Sequence, residues 1–436
     1  MKIILVLLDG LGDRSYAQLG NKTPLESAST PNLDRLASWG SNGLFHASVC
    51  GQCLPSEMAH YLLFGYSEAA FPGRGLLEAV GEGVAFDEDD VIALAHLSHM
   101  EWQEGRPLLV DKRPPMPEAD LAELLSAVRA ATYDGCDFLL QPTRGHDALL
   151  RIKGAVSAHV SDSDPMTAGR PMARIYPLDD NPEPRRAERT AKALNAYLTH
   201  CHTILEDHSI NRRRRANGLA VANFLATQRC GKRITQVPFQ EKWGLKGLLI
   251  ASGAVYGGLA RELGMAFERV EDTPSPGEDL ARRLRLALDD GKHDFIHVHT
   301  KVPDEAAHTG DPEKKKRAIR LLDSGLGPLM DPVGTGREDL LGAVTADHST
   351  ASISRLIHSG EPVPLLLVGK NVRRDDVSFY DEVSAAKGCL GLLRGRELML
   401  MLLNYADRSA LLGHHLGGRK RPYVPAEYPP FEPVEG

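Results

Sequence analysis

Six side chains of this 436-residue chain, Asp9, Asp304, His308, Asp347, His348 and His358, are of the types that grip a metal ion. Three carboxylates with three imidazoles form the mixed oxygen and nitrogen donor set that Mn²⁺ or Zn²⁺ accepts, while Mg²⁺ prefers more oxygen and retained water. Asp304 and His308 are four residues apart, so one helical turn puts both on the same face. Asp347 and His348 are adjacent, and a loop at a strand end can turn both onto one ion. A nucleophile is available in Leu54-Pro55-Ser56-Glu57-Met58-Ala59-His60. Ser56 follows a proline and precedes a helix-like run, which places it at a helix N-terminus, where free amides and the dipole favour an anion. Taken singly, each of these residues has an ordinary reading as a helix cap or a satisfied histidine. Taken together, at the ends of several apolar strands, they point to metal-assisted chemistry on an anion.

The elements that must position them follow from the hydrophobic pattern. Lys2–Leu8 is a short apolar run that empties into Asp9-Gly10-Leu11-Gly12, as a buried parallel strand empties into a functional loop. Asp294–His299, Leu341–Thr345 and Val363–Val368 repeat the design, and helix-like segments such as Pro31–Trp39 and Pro312–Asp323 lie between. Strands alternating with helices predict an α/β fold with a mostly parallel sheet, whose ligands bind at the carboxyl ends of the strands. Residues 88–181 read differently. Val91–Ser98, Pro107–Val110, Phe138–Gln141 and Ala148–Ile152 look like strands around a helix at Glu118–Ala131, a small α+β insert. The Pro- and charge-rich Pro177–Arg186 reads as its exit linker. The expected core is therefore 1–87 with 182–418, the insert a hinged cap or substrate domain, and 419–436 a Pro-rich tail laid over the surface. Arg212–Arg215 reads as the solvated last turn of a helix.

Composition narrows the function. Lys plus Arg number 51 and Asp plus Glu 58, a net charge of −7, which argues against a nucleic-acid binder relying on overall positive charge. Hydrophobic residues at 42% and charged residues at 25% are ordinary for a globular protein. No apolar run approaches the roughly 18 residues needed to span a bilayer. Asp9 interrupts the apolar start too early for a signal peptide. A cytoplasmic protein without nucleic acid or membrane partners is the expectation; oligomeric state is not legible. Six cysteines in so long a chain make no disulfide scaffold, and Cys50 and Cys53 form a lone C-x-x-C read as bystander thiols.

A family resemblance covers nearly the whole chain, in order. It runs through Leu7-Leu8-Asp9-Gly10-Leu11-Gly12-Asp13-Arg14, Thr30-Pro31-Asn32-Leu33-Asp34-Arg35-Leu36, Gly73-Arg74-Gly75-Leu76-Leu77-Glu78-Ala79, Lys242-Trp243-Gly244, Asp304-Glu305-Ala306-Ala307-His308, Asp347-His348-Ser349-Thr350 and His358-Ser359-Gly360-Glu361-Pro362. These motifs resemble the archaeal-type cofactor-independent (2,3-bisphosphoglycerate-independent) phosphoglycerate mutases of the alkaline phosphatase superfamily. The resemblance implies an alkaline phosphatase-like core with an inserted cap. It implies two divalent ions, Mn²⁺ first, with Zn²⁺, Co²⁺ or Mg²⁺ as alternatives. Asp9, Ser56, Asp347 and His348 would surround one ion, and Asp304, His308 and His358 the other. Ser56 would become a phosphoserine during interconversion of 3- and 2-phosphoglycerate, with Arg74, Lys242 and His146 on the substrate.

The departures from the family pattern fall on the substrate side. Ser-Asp at the nucleophile is Ser56-Glu57, Arg-x-Asn on the first cap strand is Leu94-Ala95-His96, Gly-His-Arg is Gly145-His146-Asp147, and an Arg aligns with Gln228. A buried charge-assisted contact contributes on the order of 1.5 to 3 kcal/mol, so several losses would change substrate recognition unless Arg144, Arg151 or Arg170 compensates. Two rival readings follow: a phosphatase or phosphotransferase acting on another small metabolite, and a non-catalytic metal-binding relative. An intact Ser56 weighs against the second.

Overall fold

Apolar runs become fourteen strands among the described residues, 1–433, of the computed structural model. In chain order they are β1 (Lys2–Leu8), β2 (Ser41–His46), β3 (Val91–Gln103), β4 (Arg106–Asp111), β5 (Ala130–Tyr133), β6 (Cys136–Pro142), β7 (Asp147–Lys153), β8 (Phe224–Lys232), β9 (Gly247–Ala251), β10 (Ala266–Arg269), β11 (Phe295–Thr300), β12 (Leu340–Thr345), β13 (Val363–Gly369) and β14 (Gly391–Arg394). The chain divides into two units, one of residues 1–71 with the chain from Gln236 onward, the other Pro72–Thr235.

The first unit is built on an eight-stranded sheet in the order β10-β9-β11-β1-β12-β13-β2-β14, in which β13 alone runs against the rest. From Ile3 to Leu8 every residue of β1 is buried, because both faces of a parallel sheet are covered and no polar alternation is tolerated. Register fixes what comes next. Leu8 pairs with Thr300 and Leu7 with Thr345, so Asp9, Lys301 and Asp347 leave the sheet at one level. Reversed β13 has its start at that same edge, which is how the loop carrying His358 reaches it. No helix among the described residues is long and apolar enough to cross a membrane.

The second unit is an antiparallel sheet ordered β4-β3-β7-β6-β5, with β8 also on β3. Val91, Ala93, Ala95 and Leu97 alternate toward a core completed by the helix Pro184–Glu206 through Leu194, Tyr197 and Cys201 and by the helix Glu118–Ala127 through Leu121 and Leu124. Phe138 stacks flat on Tyr197, ring centroids 4.6 Å apart. Burying such a ring contributes roughly 1.5 to 3 kcal/mol, which ties the helix to the sheet. This redraws the insert at both ends, to Pro72–Thr235 in place of 88–181. The helix Arg74–Glu82 backs Ile92 and Leu149 through Ala79, and β8 pairs along β3 from Val91 to Ser98. Pro177–Arg186 is no exit linker, since its last residues open the long helix inside this unit. Arg213–Arg215 do form the last turn of the helix Ser209–Ala216, but Arg214 is buried, donating to the Ala220 and Pro115 carbonyls at 2.8 and 2.6 Å. The tail pairs back on the first unit, Val424 N donating to Arg408 O at 3.0 Å; its last three residues, 434–436, lie outside the described part.

Candidate metal centre

Asp9 follows β1 directly, and Gly10 turns the chain with φ +65, a left-handed conformation suited to glycine. A Cβ at Gly10 would sit 2.7 Å from Asp304 Cβ, so the close approach of the two acidic loops requires the missing side chain. Asp304 lies in the short helix Val302–Ala307 after β11, and His308 caps its end. Asp347 and His348 follow β12, and Ser56 opens the helix Ser56–Leu63 behind Pro55, as its sequence predicts.

All seven expected ligands converge. Asp9, Asp347 and His348 offer ligand atoms within 4.8 Å of one another, and so do Asp304, His348 and His358. His348 therefore touches both groups: its Nε2 is 3.4 Å from Asp9 Oδ1 and 3.2 Å from Asp347 Oδ2, and its ring stacks on His358 at 3.8 Å. His308 Nε2 lies 3.3 Å from Asp304 Oδ1, and His358 Nε2 3.5 Å from the same atom. Ser56 Oγ is 3.1 Å from His348 Nε2 and donates to Asp9 Oδ1 at 3.4 Å.

Three carboxylates, each no more than 1% exposed, share this small space. Two like charges about 4 Å apart repel by on the order of 4 kcal/mol at an effective dielectric of about 20, so the cluster demands cations. Asp347 Oδ2 is buried without a hydrogen-bond partner, the condition in which a carboxylate oxygen awaits a positive charge. Donor chemistry, burial and this orphaned oxygen fit a pair of divalent ions.

Four residues at the centre escape the sequence reading. Lys301 Nζ lies 3.2 Å from Ser56 Oγ, 3.2 Å from Asp304 Oδ2 and 3.6 Å from Asp9 Oδ2. His299 Nε2 and Tyr256 OH both donate to Asp9 Oδ2, at 3.0 and 2.9 Å, and His60 Nδ1 donates to the Ser56 carbonyl at 2.8 Å. His297 and His299 alternate in the strand just before Asp304, so period 2 was the available signal for His299. Around them, Thr350 Oγ1 donates to Asp304 Oδ1 at 2.7 Å and His358 Nδ1 to the Leu54 carbonyl at 2.6 Å, which turns His358 Nε2 toward Asp304. Fully buried Lys315 reaches the Gly12 and Thr350 carbonyls at 2.8 Å and Asp13 at 3.2 Å, clamping the two loops together.

The electrostatics agree with the geometry. Burial alone would raise the Asp9 pKa, but Lys301, His299 and His348 outweigh it and hold the carboxyl well below its ordinary value. Asp304 is likewise held low against burial, by its bond to His308 and by Lys301. Burial works against the Lys301 charge, and Asp9, Asp304 and Asp347 more than restore it. Burial pushes His299 down to about 4, so it is a neutral imidazole with Nε2 protonated toward Asp9.

The expected substrate residues are placed less tellingly. Lys242 lies over the Tyr66 and Trp243 rings, 4.9 and 5.6 Å from their centroids, and makes no ion pair among the described residues. It borders a cavity of about 770 Å³ with Arg396 and Arg421. Arg74 and His146 belong to the second unit, where Arg74 pairs with Glu78 at 3.0 Å and His146 Nε2 meets the Pro114 carbonyl at 2.7 Å. Asp147 pairs with Arg113 at 2.7 Å, and Arg151 is engaged with Asp90 and the Ala85 carbonyl.

A mixed sheet whose strand ends gather three acids, three imidazoles and a serine defines a metal-dependent enzyme, and residues 1–405 match the model of the Metalloenzyme superfamily. The chain is 41% identical to 2,3-bisphosphoglycerate-independent phosphoglycerate mutase 2 of Methanocaldococcus jannaschii, over 98% of each. It is 35% identical to the mutase of Methanopyrus kandleri, over 94% of this chain and 98% of that one. Among solved structures, the cofactor-independent phosphoglycerate mutase of Thermoplasma acidophilum aligns with TM-score 0.60 and 30% identity, covering 93% of this chain and all of the other. A protein of Pyrococcus horikoshii aligns with TM-score 0.75 and 28% identity, over 95% and 99%. The chain belongs to the 2,3-bisphosphoglycerate-independent phosphoglycerate mutase family.

Proposed function

We propose that the chain interconverts 3- and 2-phosphoglycerate in the cytoplasm, by two-step phosphoryl transfer through a phosphoserine at Ser56. The observation that carries this reading is Ser56 Oγ standing at a helix N-terminus within 3.1 to 3.4 Å of His348 and Asp9. Asp9, Ser56, Asp347 and His348 would hold one divalent ion and Asp304, His308 and His358 the second, with Mn²⁺ the first candidate. Bound there, such ions would lower the serine pKa and spread charge on the transferring group. Ser56 loses its hydroxyl proton to solvent and Oγ attacks phosphorus. The bond from phosphorus to the glycerate oxygen breaks, and that oxygen keeps the electron pair and takes up a proton. The neighbouring glycerate hydroxyl then loses a proton and attacks the phosphoserine, and the electron pair returns to Oγ, which takes back a proton, so no net proton is consumed. His299 and Tyr256 hold Asp9 in place, and His60 holds the turn carrying Ser56. Lys242 supplies positive charge for the substrate; Arg74 and His146 keep the substrate role that the resemblance implies.

Acid quench of Mn²⁺-loaded enzyme with radiolabelled 3-phosphoglycerate is expected to leave label on Ser56 and to yield 2-phosphoglycerate, and Ser56→Ala to lose both. Full turnover by Ser56→Ala would contradict the covalent step. The Asp147–Arg113 pair, which puts an acid where the resemblance implies a cation, favours a second reading, a hydrolase of another phosphorylated metabolite. In the same assay, free phosphate without 2-phosphoglycerate would select hydrolysis, and neither product would select another substrate.

A further inference from the structure

Among the described residues, Lys301 is a lysine that touches the nucleophile, and nothing in the expected metal set assigns it a role. It is the first residue past β11, and the turn that follows carries Asp304 three residues on, so strand and helix fix its backbone from both sides. Its ammonium donates to Ser56 Oγ at 3.2 Å while contacting Asp304 at 3.2 Å and Asp9 at 3.6 Å. A lysine that served only to neutralise those two carboxylates would be sealed beside them, as Lys315 is beside Asp13 with its side chain 0% exposed. The Lys301 side chain is instead 35% exposed, against 0% and 1% for the acids it meets. Carboxylates hold the ammonium, and the partly exposed side chain that carries it stands next to the oxygen to which a phosphoryl group would be joined.

We propose that Lys301 is a further catalytic residue, whose ammonium binds the transferring phosphoryl group on Ser56 and stabilises its oxygens as the Oγ–phosphorus bond forms and breaks. The inference rests on the phosphoserine reading given above. Lys301 stays protonated throughout: it moves no proton and forms no bond, and its three N–H donors are shared between the carboxylates and the phosphoryl oxygens. The arrangement places a fixed positive charge where negative charge develops, which preorganises the site for the transition state. It also offsets, on the nucleophile side, part of the cationic charge absent from the cap motifs.

Lys301→Met and Lys301→Arg, both Mn²⁺-loaded, test the role by rapid-quench measurement of phosphoserine formation together with calorimetric Mn²⁺ binding. Loss of one preorganised donor is expected to slow phosphorylation of Ser56 by roughly 100-fold in Lys301→Met. The expected change in KM is within about threefold, with Mn²⁺ binding as tight as in the wild type or tighter because a competing positive charge is gone. Lys301→Arg is expected to recover part of the rate. A Lys301→Met enzyme that phosphorylates Ser56 at the wild-type rate overturns the proposal. So does one whose rate and Mn²⁺ affinity fall together, because that marks a lysine that only supports the carboxylates. If the wild type itself gives no phosphoserine, the functional reading fails first and this inference falls with it.

Discussion

Asp9 shows how much a single residue owes to its neighbours. Its Oδ2 accepts from both His299 and Tyr256, so its remaining oxygen is aimed at Ser56 and His348. Partners of this kind orient a ligand and typically account for 10 to 100-fold in metal affinity. Tyr256→Phe removes one donor with little change of volume, and calorimetry is expected to show Mn²⁺ binding weakened by about tenfold while the fold is kept. Unchanged affinity would show that Asp9 is held without it. The acids and imidazoles gathered at the centre were legible in the sequence because Asp and His at the ends of apolar runs are visible against bland surroundings. Lys301 was not, since a lysine after a strand has the same signature as any solvated one, and only the register of β1 with β11 puts it beside Asp9.

At the level of elements, β3 carries a buried imidazole whose cost depends on pH. His96 is 1% exposed, and its Nε2 has no hydrogen-bond partner. Burial pushes its pKa down to about 4; Asp164 at 3.7 Å opposes this, while Lys112 and Arg113 reinforce it. An unfolded histidine titrates near 6.5, so as pH falls from there toward 4 the unfolded chain gains a proton that the folded chain refuses. Stability is therefore full above about 6.5 and is lost as pH falls, with His96 alone accounting for up to about 2 kcal/mol between pH 7 and pH 5. Urea unfolding at the two values should show a smaller acid loss in His96→Gln than in the wild type; equal losses would refute the assignment. Gly10→Ala tests the strand-end turn in the same way. A Cβ 2.7 Å from Asp304, at positive φ, is expected to destabilise the fold by more than about 1 kcal/mol and to weaken Mn²⁺ binding, measured by the same two methods. Strands β1, β11, β12 and β13 were readable because a strand buried on both faces is a plain apolar run. The limits of the second unit were not, because what joins the helix Pro184–Glu206 to its sheet is the Phe138–Tyr197 stack, a long-range contact that local composition does not encode.

For the molecule as a whole, metal binding and folding should be linked. Three buried acids with one neighbouring lysine leave the centre short of positive charge, and an ion that binds only the folded chain stabilises it by RT ln(1 + [L]/Kd). Raising free Mn²⁺ to about 100 times its Kd is expected to add about 2.7 kcal/mol per independent site, seen as a rise in Tm that chelation reverses. A Tm indifferent to both Mn²⁺ and chelator would mean that the acids are satisfied without ions. The central claim is that seven side chains from separate segments of the chain, one of them the serine nucleophile, cage two divalent ions. Anomalous diffraction from Mn²⁺-soaked crystals tests it most directly: two peaks are expected, one among Asp9, Asp347 and His348 against Ser56, the other among Asp304, His308 and His358. A map with no peak there, or with manganese bound elsewhere on the chain, would contradict the account.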